Sequence, residues 1–287
     1  MITPTSAQSG ETPVLMQEIV IEAGKTELHY WRDLWRYREL FYFLAWRDIL
    51  VRYKQTAIGI AWALIQPLFT TFVFTVVFGV LGRFPSGKVP YPILVFAAQL
   101  PWQFFSRALS EAGNSLISNA NLISKIYFPR LIIPASAVIT ALVDFLISAM
   151  FMGLMLVWYH WTLDWRALTV PLFLLLALGA AMGAGLWIAA LNVAYRDFRY
   201  IVPIIVQMGI YVSPVGFKSD LVPEKWRLIY SLNPMVGVID GFRWAILGGE
   251  TPLYLPGVAL SALFVAATLV SGIIYFRATE RRFADVI

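Results

Sequence analysis

Apolar and polar positions run along this chain in long blocks. Five apolar blocks are long enough to cross a bilayer, at about 57–82, 91–110, 132–159, 168–194 and 253–276. A helix rises about 1.5 Å per residue, so roughly 20 apolar residues cover the hydrocarbon core. A sixth block, about 201–217, is shorter and ends at Ser213-Pro214. The expected fold class is all-α integral membrane with six transmembrane helices, and six spans put both termini on one side.

Between the blocks the pattern changes twice. Residues 32–56 (RDLWRYRELFYFLAWRDILVRYKQT) carry Arg and Asp throughout, so they do not span. Leu34, Tyr37, Phe41 and Leu44 follow 3–4 spacing, among Trp35, Arg38, Arg47, Arg52, Tyr53 and Lys54. An Arg-rich, aromatic amphipathic helix of this kind lies in the headgroup layer. A soluble core helix would show the same period, but no soluble domain is predicted for it to pack on. Residues 223–232 (PEKWRLIYSL) and 235–247 (MVGVIDGFRWAIL) read as two short helices, broken at Asn233-Pro234 and ended by Gly248-Gly249. Each is too short to cross, and both are too apolar for an exposed loop. Helices that dip into the outer leaflet and return fit this pattern, because irregular backbone at that depth needs protein or a cavity beside it. The chain divides into a polar segment at 1–31, the amphipathic helix at 32–56 and a six-span domain at 57–287.

Composition agrees. The chain is 59% hydrophobic and 14% charged, with mean hydropathy +0.71, against about 25% charged in a soluble domain. With no Cys there is no disulfide framework or Cys-based metal site, and His29 and His160 suggest no ligand cluster. The first 30 residues are polar, with Glu11, Glu18, Glu22 and Glu27, and show no secretory signal. Most of the 22 Lys and Arg residues fall in residues 1–56, in the second-to-third and fourth-to-fifth connections and in the tail. The positive-inside rule then places both termini in the cytoplasm. The net charge of +5 fits anionic lipid or an anionic partner and does not suggest nucleic acid.

Candidate chemistry is sparse. Residues 82–89 (GRFPSGKV) have the Gly and Lys spacing of a phosphate-cradling loop. Such a loop needs Ser or Thr after the Lys and a helix starting there. Here Val89 follows, and Pro90 and Pro92 disfavour that helix, so a Gly/Pro turn is expected. No catalytic constellation and no metal site is seen. Asp144 is the one acid deep in a span; it either lines a polar conduit or fixes packing through an interhelical hydrogen bond. The spans are rich in aromatics, including Trp62, Phe69, Phe72, Trp102 and Tyr211. Most would face lipid or other helices; some could line a path in which flat rings contact the C–H faces of sugars. Small-residue runs such as GAAMGAG (179–185) are expected to pack helices. NANLISKIYFPRLIIP (119–134) and NVAYRDFRYIVP (192–203) mix aromatics and charge near the membrane. Each is either a juxtamembrane anchor or a docking surface.

Taken in order, RYKQTAIGIAWALIQPL (52–68), NLISKIYFPRLIIP (121–134), NVAYRDFRY (192–200) and the Ser-Pro and Asn-Pro pairs at 213–214 and 233–234 resemble the permease subunit of type-2 ABC polysaccharide exporters. These handle O-antigen, capsule and teichoic acid. The resemblance runs from about residue 18 to the C-terminus. It implies a homodimer in a bacterial inner membrane, working with two copies of a separate ATPase that binds ATP and Mg. The cargo would be a lipid-linked polysaccharide, and this chain would catalyse no covalent step and hold no cofactor. It further implies ATPase-coupling positions at Asn121, Lys125, Tyr127, Phe128, Arg130, Tyr195, Arg196, Asp197 and Arg199. The 32–56 helix resembles the interface helix of that family. The broken helices resemble its periplasmic gate, with Pro214, Trp226, Asn233, Pro234 and Arg243 there. A type-2 exporter of a drug or a non-glycan lipid shares the fold and remains the alternative. A sugar-lipid transferase should show more acids or His near the membrane surface. A secondary transporter should show internal repeats.

Overall fold

The computed structural model describes residues 27–54, 60–195, 197–280 and 283, and every regular element among them is helical. Residue Arg196 and the side chain of Trp62 lie outside the described residues, as do most of the polar residues 1–31. Two helices come first among the described residues, α1 (Glu27–Arg36) and α2 (Arg38–Lys54). Tyr37 N–H bonds the Asp33 carbonyl at 2.9 Å and carries the helical ladder across their junction. α3 (Ile60–Phe74) continues as a π-helical turn, Thr75–Leu81. α4 (Tyr91–Ser118) ends against the one-turn α5 (Ala120–Ile123). Then come α6 (Ile132–Trp158), α7 (Val170–Ala194) and α8 (Phe198–Val212). The short α9 (Glu224–Tyr230) and α10 (Pro234–Ile246) precede the last helix, α11 (Leu255–Glu280).

Among the described residues, four helical stretches are long and apolar enough to cross a membrane, Leu64–Leu81, Ile132–Trp158, Trp165–Ala194 and Leu255–Glu280. They coincide with four of the predicted blocks. α4 has 28 residues but carries Arg107 and Glu111 beyond its apolar half, and α8 has only 15 residues. Between α3 and α4 the 82–89 segment is a turn, with Arg83 at φ 50° and Gly87 at φ 71°. α4 begins at Tyr91 behind Pro90, so no helix N-terminus stands at Lys88.

α4 is the hub. Its residues from Ile93 to Trp102 are buried, and it packs on α7, α6, α10 and α3. The small-residue run on α7 forms the seam with α11. A Cβ placed on Gly183 would lie 2.7 Å from the Leu269 nitrogen, and one on Gly272 would lie 2.6 Å from the Gly183 carbonyl oxygen. Lipid tails are as apolar as Leu, so close backbone approach is what holds such helices together.

The bundle has two distinct ends. One gathers α1, α2, the C-terminal halves of α4, α7 and α11, and the start of α6. There Leu44 of α2 joins an apolar cluster with Leu116, Ile123, Phe128, Ile132 and Phe276. The outer side of α1 and α2 exposes Trp31, Trp35, Tyr42, Phe43 and Trp46. The opposite end gathers the π turn, the start of α4, the end of α8, and α9 and α10.

Candidate functional site

At the first end, five charged or polar side chains from three helices converge on Asp144 of a fourth, α6. Asp144 on α6 is buried. Arg107 of α4 donates to its Oδ2 at 2.5 Å, and Arg52 of α2 lies 3.0 Å from the same oxygen. The Tyr53 hydroxyl donates to Oδ1, and Arg52 also pairs with Glu111 of α4. Arg107 completes the set by donating to Gln66 Oε1 of α3 at 3.0 Å. An unpartnered charge in a span costs about 2.5–3.5 kcal/mol; here each charge has an opposite within reach. Asp144 is thus the anchor of a tie between α2, α3, α4 and α6, the interhelical contact that was one of its two expected roles.

The two mixed aromatic and charged connections leave the same end. Asn121, Lys125 and Tyr127 after α4 are exposed, as are Tyr195, Asp197 and Arg199 after α7. The helices that bear them are joined: Asn192 of α7 donates to the Gly113 carbonyl of α4 at 2.7 Å. Two residues expected on this surface face inward instead. Phe128 is buried in the apolar cluster. Arg130 donates its backbone N–H to the Glu280 carboxylate at 2.7 Å and its guanidinium to the Glu280 carbonyl. Arg277, one turn earlier on α11, stands 4.5 Å over the Tyr30 ring of α1. Phe128 and Arg130 therefore bind the loop to α11 and its neighbours. Of the interface-helix residues, Arg47 donates to Asp48 and to Asn119 Oδ1 at 2.8 Å, while Trp35, Arg38 and Lys54 are exposed.

The aromatics divide the same way. Phe69 and Phe72 of α3 and Tyr211 of α8 are exposed on apolar faces shared with Ile65, Leu68, Ile204 and Met208. Tyr211 lies 6.0 Å from Phe74, which sets the two faces side by side. Trp102, expected with them, is buried instead. A Cβ on Gly209 of α8 would lie 2.5 Å from its ring, so Trp102 fills the place that Gly209 leaves empty between α4 and α8.

At the opposite end Arg243 of α10 is buried and donates to three carbonyls, Leu94 at 3.1 Å, Phe217 at 2.6 Å and Val215 at 2.8 Å. This sews α10 to α4 and to the segment after α8 that contains the buried Pro214. Asn233 caps α10: its Oδ1 accepts from Met235 N–H at 3.0 Å and its Nδ2 donates to Ser213 Oγ at 3.0 Å. Pro234 fills the first helical turn, where its missing N–H costs nothing. Trp226 on α9 is half exposed. Asp240, buried one turn from Arg243, accepts from the Ser219 hydroxyl at 2.6 Å. Burial pushes its carboxyl up to about 6, against the pull of Ser219 and Arg243.

Glu111 and Gln66 escaped notice in the sequence, and Arg107 fell unnamed among the basic residues of the second-to-third connection. The available signal was the i, i+4 spacing of Arg107 and Glu111 at the end of an apolar run, which puts both on one helix face.

A family model described as "ABC-2 type transporter" matches residues 39–247. An O-antigen export system permease protein RfbA from Myxococcus xanthus is 27% identical over 259 residues, 89% of this chain and 98% of that protein. A Klebsiella pneumoniae protein of the same name is 27% identical over 250 residues, 84% of this chain and 92% of its own length. The polysialic acid transport protein KpsM of Escherichia coli is 25% identical over 243 residues, 82% of this chain and 91% of that protein.

Proposed function

We propose that this chain, which belongs to the ABC-2 type transporter family, is the transmembrane subunit of a polysaccharide exporter. Its relatives are named for export of O-antigen and for transport of polysialic acid, and the similarity covers most of both chains. On this reading it is a multi-pass protein of a bacterial inner membrane, with α4 and α8 completing six spans and both termini in the cytoplasm. It works as a homodimer with two copies of a separate ATPase subunit, which binds ATP and Mg.

The observation that carries the reading is the assembly at one end of the bundle. Exposed loops after α4 and α7, the amphipathic α1–α2 unit and the Asp144 cluster all meet there. Lys125, Tyr127, Asp197 and Arg199 would take the push of the ATPase dimer as it closes on ATP. Phe128 and Arg130 would pass that motion to α11 and its neighbours, and the Asp144 cluster would make α2, α3, α4 and α6 move together. Such coupling requires the ATPase to bind two permease conformations with different affinity. The exposed apolar faces of α3 and α8, with Phe69, Phe72 and Tyr211, would meet the second subunit and border the path of a lipid-linked glycan. α9 and α10 would form the gate on the far side, Asn233 and Pro234 fixing the break between them.

The test is depletion of this protein in its host, followed by extraction and sizing of lipid-linked glycan. Accumulated long polymer on the inner leaflet supports the reading. Intact surface glycan with no accumulation would overturn the cargo assignment and leave a drug or another lipid as the substrate.

A further inference from the structure

A cleft of about 490 Å³ opens between α2, α4 and α6, lined by Arg47, Asp48, Arg52, Glu111, Asn114 and Thr140 among others. That volume lies in the range of small-ligand sites. It adjoins the Asp144 cluster, but Asp144 and Arg107 are not on its wall. Its charged lining is balanced, two arginines against two carboxylates. Its donors are largely committed. Arg47 donates to Asp48 Oδ1 through Nε at 2.9 Å and Nη2 at 2.7 Å, and Arg52 is held by Glu111 and Asp144. The hydroxyls of Ser110, Ser115 and Ser118 and the amides of Asn114 and Asn119 donate to carbonyls of α4 itself. What the cleft still offers is acceptors: a carboxylate has about four lone-pair sites, and the hydroxyl and amide oxygens add more. One wall group has no partner at all. Thr140 is 3% exposed and its Oγ1 makes no hydrogen bond.

A ligand suited to this cleft brings its own donors and a balanced charge. A purely anionic group would find Arg52 held by two carboxylates and Arg47 with only its Nη1 to spare, and would face Asp48 and Glu111. The cleft also sits beside the helix whose exposed Trp and Tyr residues mark the headgroup layer. We propose that it binds the headgroup of a zwitterionic, ammonium-bearing phospholipid. The ammonium pairs with Glu111 and Asp48, and the phosphate takes the remaining N–H of Arg47 and the Thr140 hydroxyl. Lipid bound there would wedge α2 against α4 and α6, at the element that leads into α3. The site does not depend on which cargo is exported.

The net charge of +5 makes the test discriminating, because bulk attraction favours anionic lipid. The purified protein in mild detergent is titrated with phosphatidylethanolamine or phosphatidylglycerol of identical acyl chains, and the first bound lipid is read by native mass spectrometry. Phosphatidylethanolamine is expected to win. Glu111→Gln combined with Asp48→Asn should cut its retention about tenfold, the scale of one charged hydrogen bond. Ala137→Phe fills the cleft, leaves every charge in place and should abolish the preference, which keeps the test decisive if the double variant does not fold. Equal or tighter phosphatidylglycerol binding by the natural protein overturns the site. So does a phosphatidylethanolamine preference that survives Ala137→Phe.

Discussion

Replacing Asp144 with Asn keeps the shape of the side chain and removes its charge. The Asp144 carboxylate is 5% exposed and Arg107 is 18% exposed, with 2.5 Å between them. Removing one partner of a buried pair costs about 3–5 kcal/mol, because the other charge stays buried without compensation. Two features of the cluster pull toward the lower figure. Arg52 keeps Glu111 and is 33% exposed, and Arg107 keeps Gln66. We therefore expect Asp144→Asn to cost about 3 kcal/mol. Arg107→Gln combined with Asp144→Asn restores a neutral, hydrogen-bonded pair, so the double variant should cost clearly less than the sum of the singles. The assay is a four-corner cycle of equilibrium unfolding in mixed micelles, which isolates the coupling from each residue's other contacts. A disulfide cross-link engineered between α2 and α4 provides a second readout, since loss of the tie should lower its yield. Strict additivity, or a cost below about 1 kcal/mol for Asp144→Asn, would refute the argument that this buried carboxylate holds the four helices together.

Four further outcomes follow from the same geometry. Lys125→Ala with Tyr127→Ala, and separately Asp197→Ala with Arg199→Ala, should weaken ATPase co-purification without lowering expression; unchanged co-purification counts against the docking surface. Arg243→Met leaves the Val215 and Phe217 carbonyls without their donor, Leu94 keeping its place in the helical ladder, and should cost about 2 kcal/mol or more at roughly 1–3 kcal/mol per unsatisfied group; thermal unfolding in detergent measures it, and a shift within error removes the role. Asp240 has a carboxyl raised from 3.8 to about 6, so its contribution favours the fold below about pH 4 and is lost as pH rises through 6; Asp240→Asn should flatten the stability profile across that window, and an unchanged profile would show that other groups set it. Trp226→Ala should impair export while ATPase docking stays intact, and full export would remove α9 from the gate.

Four of the membrane blocks were legible because a bilayer imposes one severe condition: a run of about 20 apolar residues shows in the order of residues alone. Block ends were less legible. The 91–110 window closes just before Glu111, and the partner that stabilises Glu111 is Arg52, 59 positions away in the chain. No local pattern carries that information. The π turn at Thr75–Leu81 was hidden for a different reason, since an apolar run reads alike whether its bonds reach back four residues or five.

Aromatic and basic side chains posed the same problem in sharper form. Phe69 and Trp102 look equivalent in a hydropathy pattern, yet one is exposed and the other buried. What distinguishes them is Gly209, whose absent side chain makes room for the Trp102 ring. Lys125 and Arg130 look equivalent in a loop, yet only Arg130 has Glu280 within reach, because α11 ends beside the start of α6. The local sequence supplies the residue types a coupling site needs. Which of them face outward is decided by small residues and acids contributed from distant helices, so the proposed docking surface narrows to the side chains those partners leave exposed.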